Sequence, residues 1–164
     1  MSNTNKIVYS AMFSALIYVS TAFLRLPVPM PSGYIHLGDT FIFVACYYFG
    51  GIYGIAASAI GAALADVTLG FSVYALPTLA VKSAMAITLI LLFKVSKKIG
   101  WSVLWMAAAS VVMLIGYFIT DIFLVGASYA FTSMLTGILQ PVASIPLAVS
   151  CIAILNKARV FNNT

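Results

Sequence analysis

Long apolar stretches constrain this chain more than any other feature of its sequence. Proline, glycine and charged residues divide it into about six such stretches, each comparable with the ~20 residues that a helix needs to cross a bilayer. They cover residues 7–24, 39–49, 52–69, 72–93, 101–125 and 131–155. Hydrophobic residues make up 63% of the chain and charged residues only 7%, against roughly one quarter charged residues in soluble domains. The sequence therefore predicts an all-α integral membrane protein with about six transmembrane helices.

The segment between the first two stretches is polar and rich in proline. It reads RLPVPMPSGYIHLGD, and Pro27, Pro29 and Pro31 forbid a helix there. We find no linker, internal repeat or low-complexity block, so residues 1–164 are expected to form a single transmembrane domain. The first stretch lacks a small-residue cleavage site leading into a polar region, and we interpret it as a membrane helix rather than a signal peptide.

The basic residues indicate how the chain is oriented. With six crossings, all the flanking Lys and Arg residues except Arg25 fall on one side, namely Lys6, Lys94, Lys97, Lys98, Lys157 and Arg159. Cytoplasmic ends collect positive charge, so both termini are predicted to be cytoplasmic, the short second stretch to cross and the Pro-rich loop to lie outside. The net charge of +5 thus reflects topology, and the basic residues are too scattered for a nucleic-acid interface.

The few remaining charges are candidates for a ligand site. The topology places three carboxylates, Asp39, Asp66 and Asp121, in the outer half of the membrane. His36 joins them from the loop, Gln140 lies at moderate depth, and Lys82 lies near the bilayer middle. Ionisable groups in lipid are costly unless they are paired or hydrated, so these side chains should face the bundle interior.

Two interpretations of these charges stay open. Lys82 could form a purely structural ion pair with Asp66 or Asp121, or the polar side chains could line a pocket that opens outward. Tyr117 and Asp121 are four residues apart on one helical face and could present a hydroxyl and a carboxylate to a small ligand. Tyr34 and Tyr74 could stack on a ring, although tyrosines at this depth also serve as interfacial anchors.

Small residues form a second pattern. Gly50, Gly54, Ser58 and Ala62 make a ridge that ends at Asp66, and such rows let helices approach closely in lipid. Internal packing is the favoured role of this ridge. A shorter pair in the first helix, Ala11 and Ala15, could equally contact another protein.

No enzymatic motif stands out. The chain has no phosphate-binding loop, no H-E-x-x-H and no G-x-S-x-G, and with one histidine and no glutamate it offers little for a metal site. Cys46 and Cys151 lie in apolar runs without a C-x-x-C partner and are interpreted as small buried hydrophobes. We predict no catalytic residues, no cofactor and no metal.

One continuous stretch carries a family resemblance. IHLGDTFIFVACYYFGGIYGIAASAIGAALADVTLG contains HLGD at residues 36–39, a glycine turn at residues 50–54, and an ALAD-xx-LG end that includes Asp66. With the Ala11 and Ala15 pair and the long first loop, the whole chain resembles the S-components, the substrate-binding subunits, of energy-coupling factor (ECF) vitamin transporters.

The resemblance implies a function and a set of partners. An S-component captures a vitamin from outside and assembles with a transmembrane T-component and two cytoplasmic ATPases in the cell membrane of a prokaryote. Carried over to this sequence, Ala11 and Ala15 become contacts to the T-component, and residues 25–38 become a lid over the pocket. No ATP site is then needed in this chain.

The resemblance does not by itself identify the vitamin. S-components with an HLGD-type stretch resemble the group whose substrates are riboflavin, pantothenate, folate, hydroxymethylpyrimidine and pyridoxine. Folate and pantothenate carry carboxylates, for which three aspartates are a poor match. Asp can accept hydrogen bonds from hydroxymethyl groups and Tyr can stack, which favours pyridoxine or a hydroxymethylpyrimidine. The alternatives are pantothenate, folate or riboflavin in the same role, or a stand-alone oligomeric channel for small solutes.

Overall fold

A computed structural model describes residues 3–27 and 34–161 of the chain, without the side chains of residues 26, 27, 34 and 35. Seven helices and two short strands follow one another in these ranges. The order is α1 Asn3–Phe23, β1 Arg25–Pro27, β2 Tyr34–His36, α2 Gly38–Tyr48, α3 Gly51–Thr68, α4 Ser72–Val95, α5 Ile99–Leu124, α6 Ala127–Gly137 and α7 Leu139–Lys157.

Five helical segments are long and apolar enough to cross a membrane. They are α1, α3, α4, α5 and the 31-residue run Ala127–Lys157 that combines α6 and α7. Together with α2 they correspond to the six predicted stretches. The all-helical membrane fold predicted from the sequence is thus confirmed.

The last membrane segment differs from the predicted uninterrupted helix. It is divided at Ile138 into α6 and α7. Pro141 follows three residues later and has no N–H, so the carbonyl of Gly137 cannot receive the usual helical hydrogen bond. The first residues of α7, Gln140 and Pro141, are buried in the bundle.

The shortest helix, α2, does not span a bilayer by itself. Its 11 residues extend about 16 Å, compared with ~30 Å for the hydrocarbon core. The Pro-rich connection begins and ends as an antiparallel pair, in which Arg25 lies opposite His36, and β2 contacts α6 and α7. The chain therefore enters α2 from within the bundle.

Contacts between aromatic and polar side chains define the two ends of the bundle. Tyr9 packs on Phe161, Tyr48 donates to Asn156 at 2.8 Å, and Lys97 donates to the carbonyl of Tyr47 at 2.6 Å. The start of α1, the end of α2, the α4–α5 connection and the end of α7 therefore meet at one end. This is the basic end, where the six lysine and arginine residues named above are located, and the opposite end is called the acidic end.

The small-residue ridge of α3 packs inside the bundle. Gly54, Ser58 and Ala62 are buried, and α3 has its main contacts with α4 and α1. A Cβ atom on Gly61 would lie 2.5 Å from the carbonyl oxygen of Ser14 and 3.0 Å from Ile17 Cβ. This spacing shows how closely α1 and α3 approach, as expected for small-residue rows in lipid.

The two cysteines differ in their surroundings. Cys46 is buried, with its Sγ 3.8 Å from Ser58 Oγ, as predicted. Cys151 is only half-buried, so the prediction that both cysteines are buried is wrong for this one. Cys151 lies on α7, a helix with few buried side chains because much of its surface faces the membrane.

Candidate functional site

A cavity of about 200 Å³ lies toward the acidic end, bounded by α3, α4, α5, α6 and the first turn of α7. Aromatic side chains from three helices and from the α3–α4 connection form much of its wall: Phe71, Tyr74, Tyr117, Phe118 and Tyr129. Polar side chains from the predicted set also line it, namely His36, Asp66, Asp121 and Gln140. A mainly apolar wall with a few convergent polar groups is typical of a small-molecule site.

Two hydrogen bonds connect the helices across this wall. Tyr74 of α4 donates its hydroxyl to Oδ1 of Asp121 at 2.9 Å. One turn further along, the hydroxyls of Tyr117 and Thr78 are 3.1 Å apart. The predicted common face of Tyr117 and Asp121 is present, and each of these residues is held by a partner on α4.

Asp66 contributes a second carboxylate to the cavity from the end of α3. The Thr78 side chain is a hydrogen-bonding neighbour of this carboxylate, and its Oδ2 atom is buried without a hydrogen-bond partner in the described part of the chain. A buried acceptor without a donor costs about 1–3 kcal/mol, so this carboxylate is suited to a donor supplied by a ligand.

Beneath the cavity lies a buried polar network that centres on Asp39. Lys82 donates to its Oδ1 at 2.5 Å, and Gln140 donates to its Oδ2 at 2.5 Å. The Lys82 ammonium also lies 3.0 Å from the Met113 sulfur. Asp39 and Gln140 stand in the first turns of α2 and α7, so the positive helix N-termini favour the carboxylate as well.

This network corrects two expectations. The partner of Lys82 is Asp39, not Asp66 or Asp121. The three carboxylates also do not share one depth, because Asp39 lies at the level of Lys82, about 15 Å from the start of α4. The reason is that α2 begins within the bundle, directly after β2, which contacts α6 and α7, instead of at the bundle surface.

His36 reaches the cavity from β2, directly before α2. Desolvation by burial lowers the pKa of its imidazole to about 4, although the nearby Asp39 carboxylate acts in the opposite direction. The ring is therefore neutral at physiological pH and adds hydrogen-bonding capacity to the site without adding charge.

A family model identifies the family of this chain. The family model for "ECF-type riboflavin transporter, S component" matches residues 1–157. The chain belongs to this S-component family. A curated relative from Pyrococcus woesei, described as an uncharacterised protein in the gap 3′ region, is 32% identical over 127 residues, which cover 77% of this chain and 85% of the relative.

The fold of this S-component agrees with that assignment. The solved structure of the S component of a bacterial ECF transporter superposes with a TM-score of 0.72, covering 99% of this chain and 100% of that one at 19% identity. Family and fold are those of transport subunits rather than enzymes. An S-component implies in general a small-molecule substrate and T-component and ATPase partners, and it is a multi-pass membrane protein.

The structure separates the predicted site residues of this S-component into three groups. His36, Asp66, Tyr74, Tyr117, Asp121 and Gln140 line the cavity. Asp39 and Lys82 lie beneath it and do not line it. The side chain of Tyr34 lies outside the described residues.

Several lining residues escaped the sequence analysis. Thr78 is four residues from both Tyr74 and Lys82, so a polar stripe along one face of α4 could have revealed it. Phe71, Phe118 and Tyr129 carry no comparable signal, because isolated aromatic residues are frequent in any membrane helix. Within the described ranges, no group of three His, Cys, Asp or Glu side chains could hold a metal ion.

The predicted partner contacts lie on a different surface. Ala11 and Ala15 are exposed on α1 and line a shallow groove between α1 and α3, together with Ala56 and Ile60. Neither alanine lines the cavity described above, so the predicted partner contacts and the predicted ligand contacts lie on separate surfaces.

Proposed function

We propose that this S-component captures a small heteroaromatic vitamin or vitamin precursor from outside the cell, with pyridoxine or a hydroxymethylpyrimidine as the best candidates. The observation that carries the proposal is the cavity toward the acidic end, with five aromatic side chains around two carboxylates. Aromatic faces suit a planar ring, and Asp66 and Asp121 can accept hydrogen bonds from hydroxymethyl or amino groups.

The size of the cavity supports a compact ligand. Its volume of about 200 Å³ is below the roughly 300–1,000 Å³ of typical ligand pockets. A single substituted ring fits such a space better than a ligand with an extended side chain. Carboxylate-bearing vitamins such as pantothenate and folate are disfavoured because Asp66 and Asp121 would repel them.

Riboflavin is the second candidate, and the description of the matching family favours it. Its three-ring system could stack between the same aromatic side chains, provided that the cavity widens. Widening would require α6 or the connection before α2 to move, since both border the cavity.

Energy coupling in this proposal comes from partner subunits. The exposed Ala11 and Ala15 surface of α1 is proposed to contact the T-component, which associates with two cytoplasmic ATPases in the cell membrane of a prokaryote. The basic end would face the cytoplasm and the cavity the outside. A stand-alone channel would instead transport its solute without these partners.

Equilibrium binding to the purified S-component tests the substrate. Pyridoxine, 4-amino-5-hydroxymethyl-2-methylpyrimidine, riboflavin, pantothenate and folate should be titrated separately by calorimetry, with riboflavin also followed by quenching of its fluorescence. Submicromolar binding of one of the two single-ring compounds is expected. Binding of pantothenate without binding of pyridoxine or the pyrimidine would refute the proposed substrate class.

Uptake assays test the transport role. Accumulation of the bound compound in cells should require co-expression of the T-component and both ATPases. Equal uptake in cells that lack these partners would instead support the channel.

A further inference from the structure

The charges around the cavity do not balance. Asp66 and Asp121 both line it, and the described part of the chain contributes no Lys or Arg side chain to its wall. His36 is the one basic group there, and its lowered pKa leaves it neutral. The wall therefore presents two acidic groups to whatever the cavity binds.

Lys82 is the nearest buried cation, and its charge is already matched. Its ammonium is bonded to Asp39, whose second oxygen is bonded to Gln140. Releasing Lys82 to a ligand would leave Asp39 as an uncompensated buried charge, which is strongly destabilising. An anionic group on the ligand would gain little from this lysine.

The two carboxylates differ in the hydrogen bonds that they accept within the protein. Asp121 accepts a hydrogen bond from Tyr74 and Asp66 has Thr78 as a hydrogen-bonding neighbour, but the buried Oδ2 atom of Asp66 has no partner among the described residues. A donor that carries a positive charge would satisfy this oxygen and also reduce the negative charge shared by the two carboxylates.

The aromatic wall suits a cation as well. The Lys82 ammonium lies over the Tyr117 ring, 5.6 Å from its centroid, so one ring of the wall already contacts a cation. Four further aromatic rings line the cavity, and the faces of aromatic rings attract cations electrostatically.

We propose that the substrate is a cationic heteroaromatic compound, in which an amine or a protonated ring nitrogen lies next to Asp66 and Asp121. This inference rests on the proposed function and narrows its substrate class. It predicts that an aminomethyl group binds better than the hydroxymethyl group considered above, because only the amine brings a positive charge to the two carboxylates.

Matched pairs of ligands provide the test. Pyridoxamine and pyridoxine share a ring and differ in one aminomethyl or hydroxymethyl group, and 5-aminomethyl and 5-hydroxymethyl forms of 4-amino-2-methylpyrimidine form a second pair. Calorimetry on the purified full-length protein should give at least tenfold tighter binding of the amine in one pair. 4-Pyridoxic acid, an anionic relative, should not bind.

The variant Asp66→Asn tests whether the Asp66 carboxylate causes the tighter binding of the amine. It preserves shape and should reduce the amine's advantage to less than threefold, while affinity for the alcohol changes little. Thr68→Ala is the control, because Thr68 is exposed at the same end of α3 and bonds only to the backbone of its own helix. Unchanged melting temperatures in detergent would show that both variants are folded.

Each other outcome decides against this inference in a distinguishable way. Equal affinities within both pairs, or an amine advantage that survives Asp66→Asn, would overturn it and leave the proposed function intact. Binding of riboflavin alone would overturn both the cationic and the single-ring assignments. Failure of all these compounds to bind would refute the proposed function, and this inference with it.

Discussion

The ammonium of Lys82 lies 2.5 Å from Oδ1 of Asp39, and the two side chains are only 1% and 0% exposed. The pair joins α4 to the first turn of α2 directly beneath the ligand cavity. Because α2 is too short to span the membrane alone, its position depends on such contacts. The same pair also determines which carboxylates remain for a ligand.

Lys82→Met should therefore destabilise the protein strongly. It leaves the Asp39 carboxylate buried without its countercharge, which costs about 3–5 kcal/mol. The unfolding temperature in detergent should be clearly lower than that of the wild type. Adding Asp39→Leu to Lys82→Met should restore much of the difference. Lys94→Met, at an exposed position on the same helix, is the control. Equal unfolding temperatures for the single and double variants would contradict a structural role of the pair.

Tyr74→Phe tests the hydrogen bond across the cavity wall. Removing the hydroxyl frees Asp121 Oδ1 and loses a hydrogen bond to a charged group, worth about 1.5–3 kcal/mol. The melting temperature in detergent should therefore fall. Asp121→Ala removes a carboxylate from the cavity wall and should lower ligand affinity measured by calorimetry about tenfold or more. Tyr53→Phe, toward the basic end, should change neither quantity. Normal affinity in the Asp121 variant would mean that the ligand binds elsewhere.

Ala15→Trp should separate assembly from binding. The indole would fill the exposed groove between α1 and α3 and prevent close approach of a partner helix. Co-purification with the T-component and ATPases should be lost while ligand affinity stays unchanged. Leu147→Trp, on an exposed face of α7, is the matched control. Intact assembly of the Ala15 variant would show that partners contact a different surface.

Gly61→Leu should disrupt the contact between α1 and α3. Any Cβ at this position would meet the carbonyl oxygen of Ser14, which is backbone and cannot swing aside. Overpacking of this kind costs about 1–3 kcal/mol, so the unfolding temperature in detergent should drop. Gly100→Ala meets no atom within 4 Å and should be neutral or slightly stabilising. Comparable stability of both variants would argue against the close helix approach.

His36 should make stability depend on pH in the mildly acidic range. Its pKa is lowered from 6.5 to about 4 in the folded protein, so the unfolded chain binds more protons between these values. The stabilisation from neutral His36 is complete above pH 6.5 and is lost as the pH falls toward 4. The melting temperature should fall between pH 7 and 5 in the wild type, and His36→Gln should flatten this slope. An identical slope in the variant would exclude His36 as the cause.

Much of the fold could be predicted because the bilayer imposes simple rules on a sequence. The apolar lengths predicted the membrane segments, and the prolines predicted the extended connection that contains β1 and β2. Spacing also predicted the common face of Tyr117 and Asp121. Each of these features depends on local composition or helical periodicity, which the sequence displays directly.

The partners of the buried charges could not be predicted in the same way. Periodicity assigns a residue to a helix face, but the depth of Asp39 depends on where α2 begins within the bundle. Helix packing likewise places Gln140 next to Asp39, 101 residues away in sequence. Such pairings depend on several helices at once.

By itself, the sequence determined that this chain lives in a membrane and where its few charges could be tolerated, because lipid excludes polar groups without partners. It also carried the HLGD-containing stretch on which the resemblance to S-components rests. Only the tertiary structure decided that Lys82 neutralises Asp39, leaving Asp66 and Asp121 in the cavity wall. The physical reason is that a buried charge is matched by whichever opposite charge lies closest in space, a relation fixed by helix packing rather than by sequence order.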